Sequence, residues 1–80
     1  MDTIVIDHLS NSATIKTIRN VLVSLKIDGV GRDSIIKDNN KFYIVFKSST
    51  LAKKAFRQLN LGQLPGKGVT KDLIGGHQIP

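Results

Sequence analysis

The stretch Lys41-Phe42-Tyr43-Ile44-Val45-Phe46 constrains this chain more than any other, because aromatic and β-branched residues run together there without a polar break. Three of the four aromatic residues of the protein lie in it. Asp38-Asn39-Asn40 precede the run and Ser48-Ser49 follow it, so it reads as a central strand bounded by turn and cap chemistry. A strand sends alternate side chains to opposite faces. Phe42, Ile44 and Phe46 therefore form a core-facing set, and Lys41, Tyr43 and Val45 form an outward set of a cation, a ring and an aliphatic.

The rest of the chain must supply partners for that strand within 80 residues. That length makes one small domain, which buries only about 60–65% of its unfolded surface. The absence of cysteine excludes disulfides and thiolate metal sites and fits an intracellular setting, nuclear or cytoplasmic. No apolar run approaches the ~20 residues of a membrane helix. Twelve Lys and Arg stand against six acids, all Asp, for a net charge of +6. A small domain this basic suits a polyanionic partner, nucleic acid first.

In chain order, Thr3–Asp7 is a β-branched run and reads as a first strand. Thr14 or Ser12 can cap a helix whose apolar stripe is Ile15, Ile18, Val21, Leu22 and Leu25, with Asp28-Gly29 as its stop. Ile35-Ile36-Lys37 reads as strand, and Asp38-Asn39-Asn40 turns it into a hairpin with the central strand. Ser48-Ser49-Thr50 open a second helix with Leu51, Ala52, Ala55, Phe56 and Leu59 inward and Lys53, Lys54 and Arg57 outward. A loop from Asn60 to Gly68 leads to a last strand over Val69–Ile74. The order β-α-β-β-α-β predicts an α+β, ferredoxin-like sandwich, with two helices on one face of a four-stranded antiparallel sheet. Residues 1–74 make the domain and Gly75–Pro80 reads as a linker or tail.

Nearly the whole chain resembles the RNA recognition motif. Phe46, Ser48, Ala52, Ala55, Leu59-Asn60, Leu64, Gly66-Lys67 and Val69 match the run that follows the central strand in that family, at its spacing. Ile4-Val5-Ile6-Asp7-His8-Leu9 lies where the family's first-strand motif would lie. The resemblance implies that single-stranded RNA stacks on the open sheet face. Tyr43 fills the second central-strand stacking position, Lys41 replaces the first ring, and Val5 replaces the first-strand ring. Each ring is worth about 1–3 kcal/mol, so losing two weakens binding by roughly a hundredfold or more. The candidate RNA-binding residues are Tyr43, Lys41, Val5, Lys37, Arg32 and Lys71. Lys71 stands where the family buries an aliphatic. The alternative implied by such a degenerate motif is a protein-interaction module.

Other chemistries are not encoded. Gly66-Lys67-Gly68 lacks the earlier glycine and the Ser/Thr of a phosphate loop, and Gly29-Val30-Gly31 lacks the third glycine of a dinucleotide fingerprint. His8 and His77 lie far apart, without clustered carboxylates, so no metal is expected. Leu9–Val30 is also similar to the heavy-metal-associated domain of copper chaperones. The cysteines of that family would fall near Asn11 and Thr14, so no copper site exists here. The expectation is a monomeric, cofactor-free RNA-binding module, with a protein partner as the second option and no enzymatic activity, small-molecule substrate or membrane attachment.

Overall fold

The alternation along the central strand becomes the two-sidedness of the whole domain. The computed structural model describes residues 1–80. Its elements are β1 (Thr3–Asp7), α1 (Ile15–Ser24), β2 (Ile35–Asp38), β3 (Lys41–Val45), α2 (Ser49–Gln58) and β4 (Thr70–Ile74), with short 3₁₀ turns at Leu61–Gln63 and Gly76–Gln78. The strands form one antiparallel sheet in the order β2-β3-β1-β4. This is the ferredoxin-like α+β arrangement that the element order implies. No helix is long and apolar enough to cross a membrane.

Register explains the core. Ile35, Ile44, Ile4 and Leu73 lie in one row across the sheet, and Lys37, Phe42, Ile6 and Lys71 in the next row on the same face. Ile4, Ile6, Phe42 and Ile44 are completely buried and pack with Ile18 and Leu22 of α1 and Ala52 and Ala55 of α2. The small residues on α2 let that helix approach the large ones on β1 and β3. Burying a large apolar side chain contributes about 1.5–3 kcal/mol, so these central pairs carry much of the stability of a domain this small. The other face carries Asp38 and Lys41, then Ile36, Tyr43, Val5 and Asp72, then Val45, Thr3 and Ile74.

The helix ends follow local chemistry, with one departure from expectation. Thr14 caps α1: its Oγ1 accepts from the Thr17 N–H at 3.2 Å, and Thr17 Oγ1 accepts from the Thr14 N–H at 3.1 Å. Ser48 Oγ accepts from the Leu51 N–H at the start of α2. The stop of α1 is not Asp28-Gly29. Lys26 takes the left-handed conformation, φ 56°, while its N–H bonds to Val23 O and the Ile27 N–H to Leu22 O. That is a Schellman turn with lysine at the position glycine favours. The pull that places the turn early is Ile27, which the chain buries in the core immediately afterwards.

A left-handed lysine costs roughly 1–2 kcal/mol, against about 0.5–1 kcal/mol of extra unfolded-state entropy for glycine. Lys26→Gly is therefore expected to stabilise the domain by about 0.5 kcal/mol, read as a higher urea midpoint at unchanged slope. A lower midpoint would show that the lysine side chain, and not the turn geometry, holds this end.

Candidate nucleic-acid interface

The six residues singled out from sequence do not converge on one surface. Tyr43, Lys41 and Val5 do lie on the helix-free face of the sheet, with Tyr43 directly opposite Val5. Lys37 does not join them. It pairs with Phe42 on the helix side, with its Nζ 5.8 Å from the centre of the Phe42 ring. Lys71 is likewise on the helix side, opposite Ile6. Arg32 sits in the loop before β2, where its carbonyl accepts from Arg19 Nη2 of α1 at 2.6 Å.

The open face is also less open, and less basic, than a stacking platform requires. Tyr43 is only 4% exposed and Thr3 is fully buried, although no helix covers this side. Residues 75–80 are tied to the domain at Gly76, whose N–H donates to Asp2 Oδ1 at 2.8 Å, while His77, Gln78 and Pro80 are exposed. Asp7, Asp38 and Asp72 all belong to this face, and Lys41 is its single strand cation. Lys41 Nζ lies 3.9 Å from Asp7 Oδ2, so part of its charge is already answered. A carboxylate-rich sheet repels phosphate.

Positive charge concentrates instead on α2. Its ten residues contain Lys53, Lys54 and Arg57 and no acid, and all three cations are exposed. Between α2 and β4 lies an open groove of about 320 Å³ lined by Lys53, Phe56, Arg57 and Leu73. Phe56 is half-buried at its floor. Lys71 completes this region from below. Its Nζ sits 4.5 Å from the centre of the Phe56 ring and donates to the carbonyls of Phe56 and Leu59, the latter at 3.0 Å. The aliphatic stem thus takes the core-facing place and the ammonium reaches the C-terminal end of α2, where a cation suits the helix dipole.

The groove therefore joins an aromatic ring to two lining cations, with Lys71 against the ring and no carboxylate in the lining. An aromatic ring beside lysine and arginine is the combination that holds single-stranded nucleic acid, ring to base and cation to phosphate. Phe56 and Leu73 escape a reading of the sequence because they satisfy the apolar periodicity of the core. The signal is the spacing of Lys53 from Phe56 and Arg57, three and four residues on, which makes Lys53 the surface neighbour of both.

Compared with known proteins, the chain matches no family profile, no curated relative and no solved structure.

Lys71→Met keeps the stem but removes the donor from two helix-end carbonyls, and is expected to cost about 1–2 kcal/mol. Lys37→Met, which loses only a distant ring contact, should stay within about 0.5 kcal/mol. Urea unfolding of both variants checks this, and equal midpoints would contradict the capping role of Lys71.

Proposed function

We propose that this domain is a binding module for single-stranded nucleic acid, RNA by its resemblance to the RNA recognition motif, and that it is not an enzyme. Lys53 and Arg57 contact phosphates, and Phe56 offers the exposed part of its ring to a base. The observation that carries this reading is the separation of charge: Lys53 and Arg57 line the α2–β4 groove and Lys71 lies against its ring, whereas three aspartates share the open sheet face. The net charge of +6 supplies long-range attraction for a polyanion. A sheet-face route that stacks a base on Tyr43 is the weaker one, since that ring is almost wholly buried.

The binding is electrostatic in large part, so its strength falls with salt. For single strands the slope of log K against log salt is about −0.7 per phosphate contact. Fluorescence anisotropy with a labelled octauridylate at low salt tests the proposal. Lys53→Ala combined with Arg57→Ala should make that slope shallower by about 1.4. Phe56→Leu should weaken binding by about 1–3 kcal/mol, and Lys41→Ala on the sheet face should leave it unchanged. Loss of binding on Lys41→Ala with no effect at Lys53 and Arg57 would return the site to the sheet.

A further inference from the structure

The acidic character of the open sheet face is unexplained by nucleic-acid binding at α2. Across the centre of that face run Ile36, Tyr43 and Val5, followed by Val45 in the next row. Ile36 is 40% exposed, high for a large aliphatic residue. Around this apolar strip stand Asp7, Asp38 and Asp72 against the single cation Lys41, a local excess of negative charge on a protein whose net charge is +6. At the hairpin end, Asp7, Asp38, Asn39, Asn40 and Lys41 line an open hollow of about 340 Å³ with no apolar wall. Asp7 is already engaged by Lys41 and by the His8 N–H, so the Asp38 carboxylate and the side-chain oxygens of the two asparagines are the remaining acceptors, the chemistry that receives an ammonium or guanidinium group.

The burial of Tyr43 adds a second observation. Tyr43 is buried on a sheet face that carries no helix, and Gly75–Pro80 is tied beside the Thr3 end of that face. A Cβ placed on Gly76 would fall 3.6 Å from Thr3 Oγ1, one of the side chains of the open face. The segment is tied to the rest of the domain by the bond from the Gly76 N–H to Asp2 Oδ1, while its other bonds close on themselves, Gly75 N–H to Gln78 Oε1 and Ile79 N–H to Gly76 O. The Thr3 hydroxyl, first, and the Gly76 N–H hold the Asp2 carboxyl below the usual aspartate range. Gly-Gly-His-Gln-Ile-Pro carries one aliphatic, an imidazole and no acid. It is a segment held by few contacts beside a strip that suits aliphatic side chains with cationic neighbours.

We propose that the open sheet face docks an extended peptide of a partner protein in which lysine or arginine alternates with aliphatic residues, and that Gly75–Pro80 occupies part of this surface until the partner displaces it. Aliphatic side chains of the partner lie along Ile36, Tyr43, Val5 and Val45. A cationic side chain enters the hollow beside Asp38, and another meets Asp72. The surface is separate from the α2–β4 groove, so the two kinds of partner do not compete for the same residues.

Anisotropy of a labelled octapeptide alternating lysine and valine, titrated with the full chain, tests this, with the glutamate–valine counterpart as control. The lysine peptide should bind and the glutamate peptide should not. Asp38→Asn combined with Asp72→Asn should weaken the lysine peptide about tenfold. Ile79→Ser, which loosens the segment, should tighten it several-fold, and Asp2→Ala, which removes the acceptor of the Gly76 N–H, should act in the same direction. Equal binding of both peptides, or no response to the aspartate substitutions, would overturn the docking surface. Unchanged affinity in both Ile79→Ser and Asp2→Ala would overturn the covering role of the tail. Octauridylate binding measured on the same variants keeps a failure here distinct from a failure of the nucleic-acid reading.

Discussion

The pairing of β1 with β3 is the contact on which the rest of the molecule depends. It sets Ile4 against Ile44 and Ile6 against Phe42, and all four are completely buried. Because strand side chains alternate, that one register also decides what faces the other way: Asp7, Val5 and Thr3 on β1, Lys41, Tyr43 and Val45 on β3. A slip by one residue would exchange a dry core for a surface of carboxylates. The hydrophobic pattern thus fixes the chemistry of the open face as firmly as it fixes the core.

The same sidedness distributes the charge. Half of the six aspartates fall on the open sheet face, whereas α2 carries three cations and no acid. Lys71 links the two regions. Its backbone lies in β4 next to Asp72, but its side chain passes under α2 and bonds to the last carbonyls of that helix. One residue of an edge strand therefore serves both as the end of a helix and as part of the positive field around Phe56.

Most of the fold could be read from the chain because periodicity carries it. Phe42, Ile44 and Phe46 were separable from Tyr43 by alternation alone, and the caps Thr14 and Ser48 stand where polar residues precede apolar stripes. What could not be read depends on events between distant segments. Nothing near Tyr43 in the chain signals that its ring is almost wholly buried on a helix-free face, or that Gly76 returns to bond Asp2 at the far end of the sequence. Lys37 and Lys71 look like surface cations in one dimension, and only the strand register turns them to the helix side. Phe56 looked like core for a similar reason, since periodicity records which helix face is apolar and not where that face reaches solvent beside a sheet edge. Charge count pointed to a polyanion and motif position pointed to the sheet, and the two cues separate in space.

The most direct measurement of the central claim is a chemical-shift map of the isotope-labelled chain with octauridylate at low salt. The groove account predicts shifts clustered at Lys53, Phe56, Arg57 and Leu73 that fade as salt is raised, with Ile36, Tyr43 and Val5 unmoved. Shifts centred on Tyr43, Val5 and Lys41 would contradict it.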